Sequence, residues 1–138
     1  MKFLIVDDDF VSRRVLQAIL SPYGECHFAG DGEKSVQAYT SALKDNKPYD
    51  LICMDIMMPG MDGKQALKEI RRIEIEHKVR ERQDTVIIIM VTALGDFENI
   101  MESFKNQCEA YIVKPIEEKK LIEKLWELGL ISNGHPFK

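Results

Sequence analysis

Leu51-Ile-Cys-Met-Asp-Ile-Met-Met-Pro-Gly-Met-Asp-Gly63 is an apolar run that ends on a carboxylate, Asp55, and then breaks into a loop. Leu, Ile, Cys and Met without alternation read as a strand buried on both faces. Pro59, Gly60 and Gly63 stop that strand and demand a turn. Asp55 is therefore expected at the carboxyl end of a central strand, facing the crevice where open α/β sheets bind ligands. A capping role for Asp55 at the following helix is the bland alternative, and one Asp cannot decide between them.

Outward from this stretch the chain alternates. Phe3 to Val6 is a short apolar run that ends at Asp7-Asp8-Asp9, and Val11, Val15, Ile19 and Leu20 follow at helical spacing. Cys26 to Ala29 reads as a second strand, and Val36, Tyr39, Thr40 and Leu43 as a second helical face. After Leu51 to Met54, a third helix is marked by Ala66, Leu67, Ile70 and Ile73. Val86 to Val91 is the longest unbroken apolar run, rich in β-branched residues, and ends at Thr92. Asp96 suits the N-cap of a fourth helix carrying Phe97, Ile100, Met101 and Phe104. Tyr111 to Val113 is the fifth strand, ending at Lys114-Pro115, and Leu121, Ile122, Leu125 and Leu128 give the last helix. Five strand–helix alternations with short connections imply an α/β fold, a doubly wound five-stranded parallel sheet with helices on both faces.

Composition narrows the classes. The 138 residues are expected to form a single domain over 1–138, and the net charge of −4 supplies no basic face for direct nucleic acid binding. Cys26, Cys53 and Cys108 are odd in number and widely spaced, which suits buried thiols in a reducing cytoplasm rather than a disulfide framework. The apolar N-terminus meets Asp7 too soon for a signal peptide or membrane span.

Asp7 and Asp8, Asp55, Thr92 and Lys114 all fall where strands end, hence on one edge of the sheet. Crowded carboxylates repel and call for a hard divalent cation such as Mg²⁺ or Ca²⁺. Beside an ammonium and a hydroxyl, that is a site for a transferring phosphoryl group. With no Ser, Cys or His at the strand ends, the covalent acceptor would be a carboxylate.

Val6-Asp7-Asp8, Met54-Asp55 with Met58-Pro59-Gly60 and Asp62-Gly63, Val91-Thr92-Ala93, and Tyr111-Ile-Val-Lys114-Pro115 together resemble the receiver domain of two-component response regulators. The resemblance covers Lys2 to about Leu128 and implies the flavodoxin-like, CheY-like strand order 2-1-3-4-5. It implies that Asp55 is the phosphoacceptor, taking phosphate from a phosphohistidine of a sensor histidine kinase or histidine phosphotransfer protein. It implies Mg²⁺ held by Asp8, Asp55 and the backbone carbonyl of Met57, with Asp7 acting mainly through a water ligand. Lys114 and Thr92 would contact phosphoryl oxygens, and Tyr111 would swing inward behind Thr92. The surface of helix four, strand five and helix five would then be repacked for a downstream protein target. A cis Lys114–Pro115 peptide is also implied. The chain would be a signalling phosphoacceptor rather than an enzyme, apparently single-domain, cytoplasmic and without membrane insertion.

Other stretches are blander. Asp9 is expected to serve the start of the first helix, and His27, His77 and His135 to be structural or solvated. Arg71 to Thr85, with Glu74, Glu76, Lys78, Arg80, Glu81 and Arg82, reads as a solvated, charged extension of the third helix. Before strand five, Gln107-Cys108 replaces the Gly-Ala frequent in the family, and Asn106 tolerates a left-handed turn there. Met57 and Leu94, two residues after the acceptor and the hydroxyl, are both apolar and cannot position a hydrolytic water. The rival readings are a haloacid-dehalogenase-type phosphatase with Asp7 as nucleophile, which leaves Asp55 idle, a flavin or nucleotide carrier, and a degenerate receiver that only binds partners.

Overall fold

A computed structural model describes residues 1–77, 85–93, 107–132 and 135–136. β1 (Lys2–Val6), β2 (Glu25–Ala29), β3 (Leu51–Asp55), β4 (Ile87–Ala93) and β5 (Ala110–Lys114) form one parallel sheet in the order β2-β1-β3-β4-β5. The order implied by the resemblance is thus the one observed. Every residue of β3 is buried, as the unalternating run requires, while β2 at the edge carries only one buried position.

Four helices are described: α1 (Phe10–Leu20), α2 (Gly32–Lys44), α3 (Gly63–Glu76) and α4 (Glu118–Glu127). α1 and α4 cover one face of the sheet over Phe3, Ile5, Cys53 and Ile89. α2 and α3 cover the other over Leu4, Val6, Ile52, Met54 and Met90. The helix expected from Asp96, with Phe97, Ile100, Met101 and Phe104, lies outside the described residues, as do Leu94, Asn106 and Lys78 to Asp84. A two-stranded antiparallel ladder, β6 (Ile131–Ser132) with β7 (His135–Pro136), follows α4 and has no counterpart in the sequence reading.

Helix starts are set by short acids. Asp9, Asp31 and Asp62 each accept a hydrogen bond from the backbone amide three residues on, at 3.0, 2.8 and 3.0 Å. The cap of α3 is therefore Asp62, and Asp55 is left free of that structural duty.

Two expectations are corrected. The inward face of α1 is Leu16, Ile19 and Leu20, whereas Val11 and Val15 are 65% and 41% exposed. The buried stripe is rotated, so that Arg13, three residues before Leu16 and seven before Leu20, turns inward and becomes half-buried. The charged extension, too, is not wholly solvated. Glu74 is 3% exposed and accepts hydrogen bonds from Tyr39 Oη at 3.1 Å and the Val86 amide at 2.8 Å. Arg71 donates to Glu74 at 2.7 Å, to both carboxylate oxygens of Glu109 at 2.8 and 2.9 Å, and to the carbonyls of Gln107 and Val86. Glu74 lies seven residues after Leu67 and four after Ile70, on the apolar stripe of α3, so its burial follows from helical phase.

Burial works against the charge of Arg71, but the Glu109 and Glu74 charges outweigh it and hold the guanidinium above its ordinary value. Arg71→Ala leaves two carboxylates short of their cation in a largely dry site. Urea denaturation is expected to show a loss of about 3–5 kcal/mol, whereas Arg72→Ala on the exposed side of the same helix leaves stability close to wild type.

Candidate functional site

The parallel sheet delivers its chemistry to one edge. Asp7 follows β1 directly, Asp55 is the last residue of β3, Thr92 the penultimate residue of β4 and Lys114 the last residue of β5. Asp7, Asp55 and Thr92 are 1%, 5% and 1% exposed, an unusual depth for two carboxylates. Asp8 is exposed, and one carboxylate oxygen from each of Asp7, Asp8 and Asp55 lies within 4.8 Å of the other two.

Lys114 bridges the buried pair, with Nζ 3.2 Å from Asp7 Oδ2 and 3.4 Å from Asp55 Oδ2. Desolvation and the Asp7 charge push the Asp55 carboxyl up to about 6, although Lys114 and the Met57 backbone amide pull the other way. Desolvation works against the charge of Lys114, yet Asp55 and Asp7 win and its ammonium is held more firmly than usual. The Lys114–Pro115 peptide is cis.

Asp7 is tied at every polar atom. Its amide donates to the Ala29 carbonyl at 3.2 Å and its carbonyl accepts from Arg13 Nη1 at 2.7 Å. Its Oδ1 accepts from the Asp9 amide at 2.9 Å and its Oδ2 from Lys114.

The loop after Asp55 is gripped by two glycines. A Cβ on Gly63 would stand 2.3 Å from the carbonyl oxygen of Asp55, and one on Gly32 would stand 2.3 Å from the carbonyl oxygen of Met61. The first turns of α2 and α3 therefore pack directly on the Asp55 backbone and on the loop that follows it. Met57, in that loop, is 67% exposed. Thr92 Oγ1 reaches the Ala93 carbonyl at 3.4 Å, a long contact, and Tyr111 is half-buried against the core under α2 and α3.

All the site residues read from the sequence are thus on one edge, except Tyr111, which stands further back on β5. His27 is mid-strand in β2, bonded to Tyr49 Oη at 3.0 Å and Glu25 at 2.8 Å, and His77 is the C-cap of α3. Arg13 escaped the sequence reading because Val11 and Val15 suggested the wrong helical phase.

Residues 3–126 match the family model of the response regulator receiver domain. The chain belongs to this family. It is 36% identical over 121 residues to the transcriptional regulatory protein ResD of Bacillus subtilis, covering 88% of this chain and 45% of ResD. It is likewise 36% identical over 122 residues to SrrA of Staphylococcus aureus strain NCTC 8325, covering 88% of this chain and 44% of SrrA. The chain thus spans less than half the length of these relatives. Among solved structures, the CheX–CheY complex with beryllium fluoride and magnesium from Borrelia burgdorferi matches with a TM-score of 0.77 at 25% identity, over 93% of this chain and 88% of that one. Membership of this family favours the receiver reading over the phosphatase and nucleotide-carrier readings.

The raised Asp55 carboxyl has a thermodynamic consequence. The folded state holds this proton up to about pH 6, whereas an unfolded Asp releases it near about pH 4. The folded state therefore binds more protons between these values, and stability falls as pH rises through that window. Without divalent cation, Asp55→Asn is expected to raise Tm by roughly 3–6 °C at pH 7.5, with the gain shrinking toward pH 4; scanning calorimetry at the two pH values checks this.

Proposed function

We propose that this receiver accepts a phosphoryl group on Asp55 from a phosphohistidine of a sensor histidine kinase or histidine phosphotransfer protein. The observation that carries this reading is the buried Asp55 carboxylate, 3.4 Å from the Lys114 ammonium and grouped with two further acids at the sheet edge. An Asp55 carboxylate oxygen attacks phosphorus, the phosphorus–nitrogen bond to the donor imidazole breaks, and the electron pair returns to that nitrogen. The product is an aspartyl phosphate.

The other residues have complementary work. Lys114 exchanges its contact with Asp55 for a charge-assisted bond to a phosphoryl oxygen. The Thr92 hydroxyl turns from the Ala93 carbonyl toward another phosphoryl oxygen, and Tyr111 follows behind it. Carboxylate oxygens from Asp8 and Asp55 with the Met57 carbonyl fit a hard divalent ion, Mg²⁺, and that ion supplies positive charge against the phosphoryl oxygens. Both oxygens of Asp7 are already engaged, by the Asp9 amide and Lys114, which favours its contact with the metal through water. The readout runs through the face of β5 and α4, and a downstream protein binds there.

On this reading the chain is a signalling phosphoacceptor in the cytoplasm rather than a turnover enzyme. No described helix is long and apolar enough to cross a membrane.

Incubation with acetyl phosphate and Mg²⁺ is expected to add one phosphate by intact mass, and Asp55→Asn to abolish the adduct; an unmodified wild type, or an adduct that survives in Asp55→Asn, overturns the reading. The phosphate should also be slow to leave, because the Met57 side chain cannot position water. Met57→Asn is expected to shorten its lifetime several-fold, measured as decay of the mass adduct after removal of the donor, and an unchanged lifetime contradicts that role.

A further inference from the structure

We infer that Arg13 is a positioning residue for the metal site, acting through the backbone of Asp7 to aim the Asp8 carboxylate at Asp55. This rests on reading the acid cluster as a Mg²⁺ site, and it assigns work to a residue that contacts neither the phosphoryl group nor the metal. Arg13 Nη1 donates to the Asp7 carbonyl at 2.7 Å, so the guanidinium holds one edge of the peptide unit that joins Asp7 to Asp8. The orientation of that peptide decides where the Asp8 side chain begins.

Asp8 needs such help more than its neighbours. The Asp7 carboxylate is held by the Asp9 amide and Lys114, and Asp55 by Lys114. Among the described residues no side-chain hydrogen bond or ion pair holds the exposed Asp8 carboxylate, so its placement rests on its backbone. With two like charges within 4.8 Å, an unrestrained loop would relax by swinging Asp8 outward. Fixing the peptide from behind opposes that motion and leaves the carboxylate oxygens open for a ligand. A guanidinium on the carbonyl also brings positive charge to the cluster without occupying one of those oxygens.

Arg13 is itself braced. Its position on α1 is in phase with Leu16 and Leu20, which anchors the stem inward. Its guanidinium carbon stands 5.8 Å from the centre of the Phe10 ring. A methyl group on Gly30, just after β2, would lie 3.8 Å from Nη1, so the head group is seated where β1 and β2 both end. Outer residues that orient metal ligands typically change metal affinity by about 10–100-fold when removed.

Mg²⁺ binding to the unphosphorylated protein, measured by titration calorimetry, is expected to weaken by about tenfold in Arg13→Gln. In acetyl phosphate reactions the Mg²⁺ concentration for half-maximal rate should rise by a similar factor, while the rate at saturating Mg²⁺ stays within about twofold of wild type. That split separates positioning from general loss of structure, which would lower the saturating rate in proportion to the folded fraction. Arg13→Met, which retains an apolar stem, is read in the same way and replaces Arg13→Gln should that variant not fold. Unchanged Mg²⁺ affinity in a folded variant overturns the inference, as does a lowered saturating rate at unchanged affinity. The binding arm involves no phosphoryl transfer, so a wild type that binds Mg²⁺ but takes no phosphate condemns the functional reading alone.

Discussion

Three carboxylates held within 4.8 Å of one another are the constraint to which the rest of the molecule answers. At an effective dielectric of about 20, each like-charged pair at such a distance costs on the order of 3 kcal/mol. A single ammonium, Lys114, offsets part of this by touching the two buried acids. What prevents the cluster from flying apart is the rigidity of its supports. β1 and β3 are inner strands packed on both faces, α1 begins two residues beyond Asp8, and the loop after Asp55 is pinned by the close approach of Gly63. The site is thus an excess of negative charge built on inner strands that are packed on both faces.

Sequence reading recovers most of this because the site is written in strand ends. An apolar run without alternation has one structural meaning in an alternating β/α chain, and its last residue is placed by that meaning alone. Asp55, Thr92 and Lys114 each terminate such a run, so their common edge is legible before any coordinates. The strand order is different: periodicity places strands but does not rank them, and the order came with the family resemblance.

The misses have a physical pattern of their own. α1 carries apolar residues on more than one flank, and Phe10, Val11 and Val15 remain exposed, so hydrophobicity alone gave the wrong rotation. On α3 a stretch rich in Arg and Glu looked solvated, yet helical phase put Glu74 inward, where Arg71, Tyr39 and Val86 satisfy it. Charge reports an average over a helix, whereas burial is decided residue by residue. The Arg71 network also joins α3 to the starts of β4 and β5, far along the sheet from the acids. Tyr111 lies two residues beyond Glu109, so the strand that carries it enters the sheet through a fixed point.

The two glycines packed against the loop after Asp55 bear on how such a domain can vary. Gly32 and Gly63 open α2 and α3, where Ala, the better helix former, is ordinarily tolerated. Here a methyl group would strike a backbone oxygen at 2.3 Å, that of Met61 in one case and of Asp55 itself in the other. Helix propensity and close packing on the backbone of Met61 and Asp55 therefore pull in opposite directions at these positions. A side chain at either position would signal a rebuilt loop after β3 rather than a stronger helix.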